Sequence, residues 1–176
     1  MANKAERVKE QVQIQEVLDN HFLESLGELG QKPSPAKQSK YIKSILEEVK
    51  RSQNVDACKN IMRPCGYQCI SGNIIVKAKD LYLKAGQKVE VFLELLNKEH
   101  IGGGNLTLQD DAIIGSYEFC YCGIPKSVKN LPKEYCECSA GWFERLFSEV
   151  FERKVEVIII QTFLSGGDKC IFKITY

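Results

Sequence analysis

Apolar residues recur at three- and four-residue steps through the first hundred positions, and the pattern then shortens to alternation. Ile14, Val17, Leu18, Phe22, Leu26 and Leu29 make one stripe, which predicts a helix over residues 3–29, broken by Gly30, Pro33 and Pro35. Ser34-Pro35 opens a second helix, with serine as cap, proline at the first helical position, and Tyr41, Ile42, Ile45, Leu46 and Val49 on its buried face. Lys50 and Arg51 lie at its end, where the helix dipole favours positive charge. Asn54 or Asp56 caps a short helix that must end near Pro64, and CGYQC at 65–69 reads as a turn. Ile74, Ile75, Ala78, Leu81 and Tyr82 step helically up to Gly86; Val89, Phe92, Leu93 and Leu96 do so up to Gly102-Gly103-Gly104.

The period changes after that glycine run. Leu106 to Leu108 and Ile113 to Cys122, joined by a QDD turn, read as two strands of a hairpin, followed by a loop with Pro125 and Pro132. Ser139 is expected to cap an amphipathic helix whose apolar face holds Trp142, Phe143, Leu146, Phe147, Val150 and Phe151. Val155 to Leu164 is a β-branched strand, Ser165-Gly166-Gly167-Asp168 turns it, and Cys170 to Tyr176 returns. The fold class is therefore α+β: a helical N-terminal half (about 3–100), then an antiparallel sheet with one amphipathic helix packed on it (about 105–176). The glycines at 102–104 are a candidate hinge, but too little separates the halves to divide 1–176 into two domains.

Composition narrows the function classes. An apolar share of 44% lets the chain fold around its own core without covalent staples. A net charge of +1 points away from nucleic acid. The longest apolar runs, such as Val155 to Ile160, are too short to cross a bilayer, and the segment MANKAERVKEQ has no apolar stretch to act as a secretory signal. The expected setting is the cytoplasm, without membrane or nucleic-acid partners. There the eight cysteines read as thiols or metal ligands rather than a disulfide framework.

From Tyr135 onward the chain reads YCECSAGWFERLFSEVFERKVEVIIIQTFLSGGDKCIFKI: a cysteine opens an amphipathic helix, a strand follows, then a turn ending in GD and C-x-F in the last strand. This resembles the C-terminal signature of vinyl-4-reductase-type small-molecule-binding domains, which share a fold with Golgi tethering-complex subunits and some heme-type sensor domains. FCYCGIP at 119–125 is similar to the L-2-amino-thiazoline-4-carboxylic acid hydrolase-like family. The resemblance covers a minority of the chain. It implies a pocket between helices and sheet, and a packing role for Cys170 in the closing-strand signature, but it carries no reaction.

The remaining cysteines fall into pairs. Alternation along the expected strand puts the Cys120 and Cys122 thiols on one face. Cys136 and Cys138 repeat the spacing before a helix; Cys65 and Cys69 make a third pair, seven residues after Cys58. If the pairs converge, Cys65, Cys69, Cys120, Cys122, Cys136 and Cys138 form a thiolate ligand set for zinc or an iron–sulfur cluster. Against this, neither C-x-C nor C-x3-C is the usual zinc spacing, and packing in the core is a common fate of free cysteine. Cys138 is the candidate catalytic thiol, because a helix N-terminus lowers the pKa of a nearby thiol. Of the two histidines, His21 borders an apolar stripe and reads as structural, and His100 ends a helix, where a cation is favoured. The triple glycine lacks the following Lys-Ser/Thr of a phosphate loop.

The expected function is a small-molecule- or metal-binding module with a cysteine-lined site. The alternative is a cysteine- or metal-dependent hydrolase acting on a small sulfur- or nitrogen-containing heterocycle. The third reading is an interaction module. The expected partners are a small-molecule ligand and, as a candidate homodimer, a second copy of the chain.

Overall fold

The computed structural model describes residues 3–176. Helix α1 (Lys4–Ile14) starts from a capping box in which the Asn3 side chain accepts from the Glu6 backbone N–H and Glu6 accepts from that of Asn3. The single helix expected over 3–29 is in fact two. Glu16 adopts a φ of 52°, which ends α1, and α2 (Asn20–Ser25) restarts on an Asp19 cap. Val17, Leu18, Phe22, Leu26 and Leu29 still lean on one core, but Ile14, the only member of the expected stripe in α1, is exposed, and α1 buries Ala5, Val8 and Val12 instead.

Helix α3 (Pro35–Ser52) follows the sequence expectation, including its Ser34 cap and its buried Tyr41, Ile42, Ile45, Leu46 and Val49. Helix α4 (Val55–Tyr67) does not stop at Pro64. Proline has no N–H for the Asn60 carbonyl one turn back, and the Gln15 side-chain amide donates to that carbonyl at 2.9 Å instead. The expected CGYQC turn therefore begins as helix, with Cys65 inside α4 and Cys69 just beyond it. Helices α5 (Gly72–Lys84) and α6 (Val89–Lys98) complete the helical half.

Strands β1 (Leu106–Gln109), β2 (Ala112–Tyr117), β3 (Glu156–Gln161) and β4 (Cys170–Thr175) form one antiparallel sheet in the order β1-β2-β4-β3. Strand β2 ends at Tyr117, where its ladder with β4 reaches Cys170 and the partner strand runs out. Cys120 and Cys122 thus lie in a loop, and the strand alternation invoked for them does not apply. Strand β3 ends at Gln161 after a register shift, and residues 163–165 form a 3-10 turn. Helix α7 (Glu137–Phe151) follows directly on a 3-10 turn at Lys133–Cys136, so Ser139 is not its cap and Cys138 lies within its first turn.

The apolar interior has two parts. One packs α5, α6 and α7 against the sheet, with Phe92, Phe143, Phe147 and Phe172 fully buried. Phe143, Leu146, Phe147 and Val150 of α7 are buried as expected; Trp142 and Phe151 flank them half-buried. The other part joins α1, α3 and α4, around Ile42, Ile45, Leu46, Ile61 and Met62. The seam is the crossing of α4 and α7. A Cβ at Gly66 would fall on the backbone carbonyl of Cys138, and one at Gly141 on that of Arg63, so the two helices meet backbone to backbone. Arg63 fastens the crossing by pairing with Glu137 at 2.8 Å and with Glu144, and by donating to the Val157 carbonyl of β3 at 2.8 Å. Among the described residues no helix is long and apolar enough to cross a membrane.

Candidate functional site

The backbone contact between α4 and α7 decides which cysteines meet. With no side chain between the helices at Gly66, the end of α4 lies against the first turn of α7, and Cys69 and Cys138 come under the same face of α1. Cys69 is exposed, whereas Cys138 is only 5% exposed. Two cations come from α1. Lys4 and Arg7 are three residues apart, which places them on one helical face. That face is docked by Ala5, Val8 and Val12 in the helical core, and the Lys4 N–H donates to the Gln38 side chain of α3 at 3.2 Å.

The Lys4 ammonium donates to Cys138 Sγ at 3.0 Å, and Arg7 donates to Cys69 Sγ at 3.6 Å. Lys4 also sits over the Tyr135 ring, 5.4 Å from its centroid. Arg7 is 9% exposed, and its Nε is buried without a hydrogen-bond partner among the described residues. Neither cation is within ion-pair distance of a carboxylate there. A buried cation without an anion is costly. The counter-charge available is thiolate.

One negative charge shared by two neighbouring thiols satisfies this arrangement. A proton on Cys138 serves as donor to a Cys69 thiolate, and together with Lys4 and Arg7 this brings Cys69 down to about 5. The same contact, with burial, holds Cys138 well above its ordinary range. The charge belongs on Cys69, the residue of the two that is exposed, rather than on the buried Cys138. Burial opposes the charge on Lys4, but the surrounding sulfurs outweigh it and raise its pKa. Burial also pushes the Tyr135 phenol far up, and its hydroxyl shares a hydrogen bond with Cys122 Sγ, 3.0 Å away.

The other predicted ligands are placed differently. Cys65 faces the helical core, and burial pushes it up to about 12. Cys136, the residue before α7, interacts with Thr162 and is likewise pushed up to about 12 by burial. Cys120 donates to the Cys122 carbonyl at 3.6 Å, and Cys58 donates to the Leu46 carbonyl at 3.6 Å. Among the described residues no group of three or more His, Cys, Asp or Glu side chains is arranged to hold a metal ion. The six-cysteine ligand set is therefore not assembled. The sulfurs that do meet are flanked by two cations, which repel a metal ion.

His21 on α2 and His100 after α6 are both exposed. A groove of about 550 Å³ lined by Glu6, Lys9, Leu23 and Tyr41 contains no cysteine. The expectation of Cys138 as the activated thiol also needs revision: it does lie at a helix N-terminus, but it is buried next to a second sulfur that carries the charge better. Sequence reasoning missed Lys4 and Arg7. Their signal was a pair of basic residues in register with the apolar positions Ala5, Val8 and Val12 of α1, a face that should be buried.

Residues 3–176 match the Family of unknown function (DUF6144), and the chain belongs to that family. No curated protein and no solved structure matches it. The likeness of residues 135–176 to vinyl-4-reductase-type domains therefore rests on the motif alone.

Proposed function

We propose that this protein binds small molecules through a thiolate centre at Cys69, supported by Cys138, Lys4 and Arg7, and captures electrophilic compounds there by covalent attack. The observation that carries this reading is a pair of cations, a buried Arg7 and a half-buried Lys4, that contact sulfur and no carboxylate among the described residues. Cationic neighbours favour thiolate, the form of cysteine that attacks carbon or sulfur. A cysteine-lined binding site thus stays the function, with a reactive thiol in place of a metal. Capture and release require no histidine base. A hydrolytic cycle would need a further group to activate water, and both histidines are exposed on other elements.

Alkylation by iodoacetamide across pH, with each cysteine followed by peptide mapping, tests the proposal. Cys69 should be labelled fastest near neutrality, with Cys65, Cys136 and Cys138 lagging in the folded protein. Labelling of Cys69 no faster at neutral pH than that of an exposed model thiol would overturn it.

A further inference from the structure

We propose that Cys69 and Cys138 are a dithiol–disulfide couple that exchanges with low-molecular-weight disulfides, Cys69 attacking and Cys138 resolving. This rests on the thiolate reading of Cys69 and extends it to a two-electron reaction.

Three features of the structure carry the inference. The two sulfurs face one stretch of α1: Lys4 reaches Cys138 Sγ at 3.0 Å and Arg7, one turn on, reaches Cys69 Sγ at 3.6 Å, while the backbone contact at Gly66 holds the end of α4 against the first turn of α7. They differ in access, since Cys69 is exposed and Cys138 is buried behind it. That is the division of roles a disulfide exchanger needs: an outer thiol that meets the substrate and an inner one that meets only the outer thiol. Finally, Lys4 donates to the inner sulfur at 3.0 Å, so a cation is in place when charge develops there.

The steps balance. The Cys69 thiolate attacks one sulfur of R–S–S–R; a Cys69–S–S–R bond forms, the R–S bond partner leaves as R–S⁻ and takes a proton from water. Cys138 then releases its proton to water, and its thiolate, beside the Lys4 ammonium, attacks the Cys69 sulfur. A Cys69–Cys138 disulfide forms and the second R–S⁻ leaves, taking up a proton. The protein loses two electrons and the Cys138 proton, water supplies the second proton, and one R–S–S–R becomes two R–SH. The oxidant is the small disulfide itself. Cys65 is the competing resolver by sequence, four residues before Cys69, and is buried in the same core as Cys138, but the Lys4 ammonium donates to Cys138 and not to Cys65.

The test treats the fully reduced protein with bis(2-hydroxyethyl) disulfide and maps the products by mass spectrometry. The expected product is a chain lighter by two hydrogens with a Cys69–Cys138 bridge, and two equivalents of 2-mercaptoethanol. Cys138→Ser should stop at a mixed disulfide on Cys69 with one equivalent released. Mapping the wild type needs no variant, so the bridge is assigned even if Cys138→Ser does not fold. A stable mixed disulfide on wild-type Cys69, or a bridge from Cys69 to Cys65, overturns the couple while leaving the reactive Cys69 intact. A Cys69 that reacts no faster than a model thiol with both this disulfide and iodoacetamide overturns the thiolate reading as well.

Discussion

The Lys4 ammonium lies 3.0 Å from the sulfur of Cys138, yet the thiol it helps to ionise is the neighbouring Cys69. Charge on one sulfur of a touching pair is stabilised by any cation near either sulfur. Lys4→Met should therefore shift the Cys69 alkylation profile upward in pH by about one unit or more, the usual effect of one close opposite charge. Arg7→Met should shift it in the same direction. Iodoacetamide labelling between pH 4 and 9 reads this, and an unmoved midpoint in both variants removes the cations from the account.

Stability should depend on pH through the same groups. Cys69 has a folded pKa of about 5 against an ordinary value of 9.0, so it stabilises the fold above the unfolded value, and that contribution is lost as pH falls from about 9 through about 5. Cys65 and Cys136 work in the opposite sense: their folded values near 12 keep them neutral while the unfolded thiols ionise, so stability falls as pH rises beyond about 9. Lys4, raised above its ordinary value, adds to that alkaline loss, because its contribution is complete below the unfolded pKa and disappears as pH rises through the folded one. Urea unfolding of the reduced protein should rise from pH 5 towards pH 9 and then decline. Cys69→Ser should flatten the rising limb and keep the alkaline one.

Gly66→Ala should cost more than an ordinary helix glycine replacement, which gains helix propensity. The added methyl meets the Cys138 carbonyl, a rigid backbone atom, and overpacking of this kind costs about 1–3 kcal/mol or more. The helices can escape only by moving apart, which also separates Cys69 from Cys138. Thermal unfolding and the Cys69 labelling rate should change together in this variant. A change in stability alone would detach the crossing from the site.

Phe147→Ala should destabilise by about 3–5 kcal/mol, since the ring is fully buried and stacks between Phe143 and Phe151. Denaturant unfolding measures it. Cys69 reactivity should be retained, because Phe147 belongs to the sheet-side core, whereas Cys138 belongs to the helix-side one and Cys69 is exposed.

Much of this architecture was legible in the chain because burial imposes a period. The stripe Tyr41 to Val49 and the face Phe143 to Val150 each emerged as read. The errors came where a distant residue overrides a local rule. Pro64 marks a helix end unless Gln15, forty-five residues before Asn60, supplies the missing donor. Cys122 continues a strand by pattern, but β4 offers no partner beyond Cys170. The site was half legible: Cys69 and Cys138 stood in the expected set, while their meeting depends on Gly66 and Gly141, two glycines whose spacing carries no signal until the crossing is seen. Lys4 and Arg7 looked like ordinary surface charge, although Arg7 shares its face of α1 with Val8 and Val12, the one local sign that this side is turned inward.

The Lys4–Cys138 contact spans 134 residues, and Arg7–Cys69 spans 62. Contacts of such separation form late, after the entropy of closing the intervening loops has been met. A chain emerging during synthesis has Cys69 before it has Cys138, and so has an unremarkable thiol. The reactive sulfur comes into being with completion of the tertiary structure and vanishes on its loss, which makes the chemistry of Cys69 a reporter of the native state and guards the unfinished chain against its own nucleophile.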